Sequence, residues 1–286
     1  MASAERKKVG LIVNPVAGLG GRVGLKGSDG LAIQRRAREL GAVPVSGSRA
    51  VEALEMLRPL WDMVEIVTYP GEMGEETAVG GGFSPTIVGS IRPGETTAED
   101  TRRAARALCE MGVDLILFAG GDGTARDICE TIGSTVPVIG IPAGVKIHSA
   151  VFGINPASAG ELATQFLRGD VSTLRDAEVM DLDEAAYRQG IVSPQLYGYL
   201  KIPYRRQLVQ ARKSPRLASE DAALQAIALD VIDHMLDGYL YIVGPGTTTR
   251  PILTCLGLDK TLIGVDVIQG RRLIAADANE AQLLAL

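Results

Sequence analysis

Histidine is almost missing from this chain. Only His148 and His234 are present, so a zinc centre built on imidazoles has hardly any material to work with. Cysteine is scarce too. Cys109, Cys129 and Cys255 are odd in number, far apart and without metal-ligand spacing. That excludes a disulfide framework and fits a reducing, cytoplasmic setting. Long apolar runs are also lacking: none spans a membrane, and Val9 to Val13, behind a basic start, is too short for a signal-peptide core before Asn14-Pro15 ends it. Positive charge is not in excess. With a net charge of −5 there is no global reason to expect a nucleic-acid partner, so any phosphate binding has to be local. Aromatic residues make up 4% of the chain, little for an exposed lipid-binding groove.

Glycine, by contrast, is plentiful. The 286 residues include 34 glycines and are 46% apolar and 22% charged, which describes a globular chain large enough for two domains. The glycines gather where predicted strands end. The most informative cluster is F-A-G-G-D-G-T, Phe118 to Thr124. It follows an apolar run, 113–118, that reads as a strand buried on both faces, and precedes a predicted helix, 124–132. Strand, glycine turn and helix leave free N–H groups at the helix start, where the macrodipole favours a phosphate. Asp122 is then an acid in a loop built for anions. It either serves as an ordinary turn carboxylate, or accepts a proton from, or holds a metal beside, a group next to that phosphate.

Three further loops share this character. The first, N-P-V-A-G-L-G-G-R-V-G-L-K-G-S-D-G, follows a strand at 8–13. It matches neither G-x-G-x-x-G nor a Walker A motif, but Gly18, Gly20 and Gly21 allow close backbone approach, and Arg22 and Lys26 can meet a ligand's charge. A flexible surface loop would carry the same pattern. The second, P-A-G-V-K-I-H-S-A after a strand at 136–141, offers Gly144, Lys146 to neutralise a phosphate, and His148 either to relay a proton or to act as a structural hydrogen-bonder. The third, G-P-G-T-T-T-R after a strand at 239–243, offers Gly246, Thr247 and Thr248 to an anion or a ribose. In P-G-E-M-G-E, Glu75 and Glu76 read as solvated turn residues.

Strands and helices alternate through the first half: strands at 63–68 and 86–89, and helices at 31–40, 51–60, 97–111 (with Thr97 and Asp100 at capping spacing) and 156–167. This predicts a parallel sheet covered on both faces, with the first three glycine loops on the carboxyl edge where such sheets bind ligands. From Leu174 the texture changes. Strands at 174–182, 195–202, 262–267 and 272–276, and helices at 218–236 and from Asn279 on, predict a second, β-rich α+β domain with antiparallel pairing. The expected division is 1–172 for nucleotide and 173–286 for substrate.

G-G-D-G-T, the opening Asn14-Pro15 and the P-A-G loop together resemble the NAD kinase and diacylglycerol kinase superfamily. The longer strings, I-P-A-G-V-K-I-H-S-A-V-F and G-P-G-T-T among them, resemble the ATP-NAD kinase branch that includes the acetoin-catabolism X-type proteins. The resemblance covers most of the chain. It implies an NAD kinase-like fold with an α/β N-terminal domain and a β-rich C-terminal one, and ATP and Mg²⁺ as cofactors. Asp122 is implied as the base on a sugar hydroxyl, the 2′-OH of NAD in the parent family, with Gly120, Gly121, Gly123 and Thr124 around the donor phosphates and Asn14 positioning ATP. The acceptor is a small molecule, NAD or a relative. A homodimer or tetramer is the implied assembly. Where true NAD kinases carry G-N-L-G-F-L, this chain has I-N-P-A-S-A-G at 154–160, and relatives continue past its end, so the second domain is expected to be incomplete. The competing expectations are a nucleotide sensor without catalysis and a lipid-type kinase of the same superfamily; the failed G-x-G-x-x-G counts against a dehydrogenase.

Overall fold

A computed structural model describes residues 6–21, 23–25, 30–144, 147–182, 194–210, 218–262 and 264–286. Its main feature is a five-stranded parallel sheet in the order β3-β2-β1-β4-β5, formed by β1 (Lys7–Val13), β2 (Val64–Thr68), β3 (Thr86–Ile87), β4 (Leu115–Gly120) and β5 (Val138–Pro142). All six residues of β4, L-I-L-F-A-G, are buried, because helices cover both sheet faces and leave no side of the strand for water. The order turns at β1, with β2 and β3 on one side and β4 and β5 on the other. Such a switch point opens a crevice at the carboxyl ends of the two strands that flank it. The register carries the same point to single residues: Val13 pairs with Ala119, and Gly120 with Pro142, so residues 14, 121 and 143 leave the sheet along one edge.

The helices between these strands are α1 (Leu31–Glu39), α2 (Ser46–Glu55), α3 (Glu75–Gly80), α4 (Ala98–Glu110) and α5 (Asp122–Ile132). The predicted cap of α4 is present. The Thr97 N–H and hydroxyl both donate to the Asp100 carboxylate at 2.8 Å. After β5 comes α6 (Pro156–Arg168), which starts with Pro156 at N1 and ends at Gly169 in the left-handed region. The segment expected as a solvated turn, Pro70 to Glu76, differs. It forms a 3₁₀ turn and the start of α3, because Met73 is buried and the Glu75 carboxylate accepts the Gly71 N–H at 2.7 Å.

By its own contacts the chain groups into two compact units. The first comprises residues up to 19, 43–181 and 194–212, and includes most of the paired strands β6 (Leu174–Leu182) and β7 (Pro194–Pro203). Its core runs from β1 through β4 and β5 to Phe152, whose ring packs edge-on to Phe118 and lies against Gly140, where a Cβ would stand 2.4 Å from it.

The second unit comprises residues 20–42, 182–193 and 213–286. It holds an antiparallel sheet of β8 (Leu240–Val243), β9 (Val265–Gln269) and β10 (Arg272–Ala278), with helices α7 (Ala218–Asp233) and α8 (Arg250–Cys255). The β9–β10 turn has Gly270 and Arg271 both at positive φ, the arrangement a two-residue hairpin of primed type demands. Val243, Leu253 and Ile268 form its core. Next to it lies a buried ion pair: Lys260 Nζ sits 2.8 Å from Asp266 Oδ2, with both side chains at most 1% exposed. The pair is fully hydrogen-bonded. Lys260 also donates to the Thr261 and Gly264 carbonyls, and Asp266 accepts from the Thr261 N–H, the Thr261 hydroxyl and the Asp277 N–H. These bonds hold the Asp266 carboxyl below its usual range against the upward push of burial. A last helix, α9 (Glu280–Ala285), is capped by Asn279, which forms a capping box with Gln282. No helix among the described residues is long and apolar enough to cross a membrane.

Candidate active site

Three loops of the first unit meet at the carboxyl ends of β1, β4 and β5. The β1 loop begins at Asn14, whose N–H donates to the Ala119 carbonyl at 2.9 Å and whose Oδ1 accepts from Val16 at 3.2 Å, an Asx turn that fixes the side chain. The Asn14 amide therefore points across to the next strand, where Nδ2 donates to Thr124 Oγ1 at 2.9 Å. Further along, Gly18 has φ +74° and touches the β5 loop so closely that an added Cβ would lie 2.1 Å from the Ala143 carbonyl oxygen. The β4 and β5 loops are joined in turn. The Gly120 carbonyl accepts from both Ala143 and Gly144, and a Cβ on Gly144 would stand 2.7 Å from Gly121 Cα. Glycine is needed at these positions for closeness of backbones as well as for φ.

Asp122 lies in the middle of this junction. The sequence suggests a turn residue, but the structure makes it the first residue of α5: the first bond of the helix runs from the Ala125 N–H to the Gly121 carbonyl. The N–H groups of Asp122, Gly123 and Thr124 precede that bond, have no acceptor within the helix, and form the positive end of its dipole. The Asp122 side chain turns to the β5 loop. Oδ2 accepts the His148 N–H at 2.7 Å, and Oδ1 the Ser149 N–H at 2.9 Å. The Ser149 hydroxyl continues the chain of contacts to β6 by donating to the Met180 carbonyl at 2.8 Å. Each carboxylate oxygen keeps a second lone pair after these bonds.

Of the residues singled out in the sequence, Asn14, Gly18, Gly120, Gly121, Asp122, Gly123, Thr124, Gly144 and His148 come together here. Thr124 is buried, with its hydroxyl tied to Asn14, and so acts as a strut between two loops. Gly20 and Gly21 belong to the second unit, where their carbonyls accept from Leu25 and Gly24. Gly246, Thr247 and Thr248 also lie in the second unit. There Gly246, at φ +114°, donates to the Leu262 carbonyl at 2.7 Å, and Thr249 Oγ1 donates back to Gly244. Arg22, Lys26 and Lys146 lie outside the described residues. Asn155 proves to be a helix cap: its Oδ1 accepts the Ser158 N–H at 2.7 Å.

Two residues of the site were not foreseen. Ser149 adjoins His148 in the same string, and a scan for the partners of Asp122 could have considered it. Arg49 had no sequence signal; it stands on α2 and donates from Nη1 to the Pro142 carbonyl at 2.8 Å, bringing a cation to the β5 end. Among the described residues no three His, Cys, Asp or Glu side chains form a group that could hold a metal ion.

A family model described as the ATP-NAD kinase N-terminal domain matches residues 9–171, which takes in the parallel sheet from the third residue of β1 onward and all three loops. Among solved structures, a protein from Bacillus anthracis str. Sterne provisionally assigned as a diacylglycerol kinase is 17% identical, with a TM-score of 0.34. The match covers 63% of this chain and 46% of that one, so the chain spans less than half the length of that relative. No curated protein sequence matches the chain.

Proposed function

We infer the activity from one premise: this chain belongs to the ATP-NAD kinase family. It is a phosphotransferase that moves the γ-phosphoryl group of ATP to a hydroxyl of a small molecule, the 2′-hydroxyl of NAD or a related alcohol. One observation carries this reading: Asp122 sits among the free N–H groups at the start of α5, within a junction of three strand-end loops at the sheet's switch point. The N–H groups of Gly123 and Thr124, with the closely apposed Gly121 and Gly144, form the surface for the donor phosphates. Asn14 keeps that surface in one piece through Thr124. Arg49 adds positive charge at the β5 end.

Asp122 accepts the hydroxyl proton on a lone pair that its two backbone bonds leave free. As that O–H bond breaks, the oxygen attacks the γ-phosphorus, the bond to the bridging oxygen breaks, and ADP departs. A Mg²⁺ ion would be held chiefly by the ATP phosphates and water, the usual habit of this ion. When bound, it neutralises charge on the transferring group. A homodimer or tetramer is the assembly we expect.

A second reading has an observation in its favour. Both Asp122 oxygens already hold the β5 loop, which suits a nucleotide sensor whose aspartate is purely structural. The two readings separate in one assay. Purified protein is incubated with Mg²⁺-ATP and NAD, NADP is followed with a coupled dehydrogenase, and Asp122→Asn is run beside it. A loss of about 10²-fold or more in the variant supports the kinase. ATP binding by calorimetry with no turnover of NAD or of a panel of hydroxyl metabolites supports the sensor.

A further inference from the structure

The His148 N–H is bonded to Asp122 Oδ2, and the ring stands beside the same oxygen. Nδ1 has no accessible surface and no hydrogen-bond partner among the described residues, yet it lies 3.4 Å from Asp122 Oδ2. Both side chains are close to nine-tenths buried. Leaving a buried polar atom unpaired costs about 1–3 kcal/mol, a cost a structural histidine avoids by turning its nitrogen to a donor or acceptor. Beside Nδ1 stands Asp122 Oδ2, a carboxylate oxygen that can only accept, so the two atoms share a hydrogen bond only when a proton is placed on Nδ1 or on Oδ2. The contact is one proton short of a hydrogen bond.

We propose that His148 is the second member of a proton-holding pair, and that Nδ1 takes up the proton Asp122 removes from the acceptor hydroxyl. This rests on the kinase reading above. In the resting protein the imidazole carries its proton on Nε2 and presents a bare Nδ1 to Asp122. When the substrate O–H bond breaks, its proton goes to an Asp122 oxygen and its electron pair stays on the attacking oxygen. The protonated carboxyl then becomes a donor, and the proton passes from Oδ2 to Nδ1. The result is an imidazolium beside an ionised carboxylate, which stabilise each other in a site of low polarity. Asp122 touches the substrate; His148 acts through it. The second step leaves Asp122 ionised while the phosphoryl group is still in transit, which a carboxylate with no second proton-holding group cannot do.

Two ionisable groups of the neighbouring α5 are held in ion pairs. On α5, Arg126 pairs with Asp181 of β6 at 2.7 Å, and Asp127 with Arg102 of α4 at 2.7 Å. Glu178 of β6 is met through its backbone carbonyl, which accepts the Ala150 N–H. The β1 loop from Asn14 to Leu19 contributes no ionisable side chain.

The two histidines make the test clean. Protein labelled with ¹⁵N in the imidazole rings shows His148 beside His234, which is exposed and serves as the internal reference. Expected at neutral pH is a His148 signal pair with Nδ1 bare and Nε2 protonated. A proton already on Nδ1 overturns the proposal, because that nitrogen could then accept nothing. A second arm measures His148→Gln and His148→Asn, with melting temperature and ATP affinity as controls of folding. Expected is a fall in kcat of about 10- to 100-fold with the KM for ATP unchanged, as for loss of a general base. A kcat within twofold of the parent in either folded variant, with the Asp122→Asn loss still present, overturns the pair and leaves the kinase standing. If no acceptor turns over, the kinase reading falls and the pair falls with it; turnover with a protonated Nδ1 overturns the pair alone.

Discussion

Gly18→Ala isolates what the loop junction requires. Two effects add at this position. The first is local: φ +74° is the left-handed region, where a Cβ costs about 1–2 kcal/mol. The second is a collision, since the new methyl would lie 2.1 Å from the Ala143 carbonyl oxygen, and real contacts of this kind essentially never fall below 3.0 Å. The β1 and β5 loops must therefore part by most of an ångström, and a displacement of roughly 1 Å at a reacting site costs on the order of 10²-fold in rate. Gly41→Ala is the control. Its φ of +83° carries the same backbone cost, but nothing lies within 4 Å of the new Cβ. Gly41→Ala should lose a small amount of stability in urea melts, and Gly18→Ala more, by the cost of the collision. Only Gly18→Ala should lose ATP affinity by calorimetry and turnover in the coupled assay. Equal ATP binding and equal kcat in the two variants would refute the claim that the β1 and β5 loops form one surface.

Three further outcomes are expected. Lys260→Met leaves the Asp266 carboxylate buried without its cation and should destabilise the protein by about 3–5 kcal/mol in denaturant unfolding, while Lys260→Met with Asp266→Leu should recover most of it. Because the folded-state Asp266 carboxyl sits below its ordinary range, the parent protein holds that stability above the usual carboxylate pKa and loses it as pH falls through the lowered value; acid melts of parent and double variant should converge there. Asn155→Ala removes a helix cap and should cost about 1 kcal/mol with no change in any KM, which separates a capping role from an acceptor-binding one. Alkylation at neutral pH should mark the exposed Cys255 first, since burial pushes the Cys109 and Cys129 thiols up and keeps them protonated.

The parallel sheet and its site edge were legible because their signals are local. An apolar run such as 115–119 can only be a strand covered on both faces, and Gly120–Gly121 after it can only be a tight exit. The Thr97 cap of α4 and the Asn279 cap of α9 were equally readable, since each is written within four residues. Side-chain traffic between distant segments was not. That Asn14 reaches Thr124, that Arg49 reaches Pro142, and that Asp122 holds His148 and Ser149 depend on loops meeting across the sheet edge, and no spacing along the chain encodes it. The pair Lys260–Asp266 hid for another reason: six residues apart in a region of strands and turns, it looks like two surface charges until burial is known. Helix α8 has no reading from the sequence: the glycine loop ends at Arg250, and Pro251, second in the helix, serves equally well as a breaker.

The discontinuous make-up of the second unit bears on how the protein is made. Residues 20–42 leave the ribosome early, yet the segments they group with begin only at Leu182. At ordinary elongation rates the chain between Ala42 and Leu182 takes roughly ten seconds to appear. During that time the β1, β4 and β5 strands can already pair, while α1 waits without its partners. A nascent chain halted near residue 200 should therefore protect the parallel sheet from protease and leave 20–42 open to cleavage.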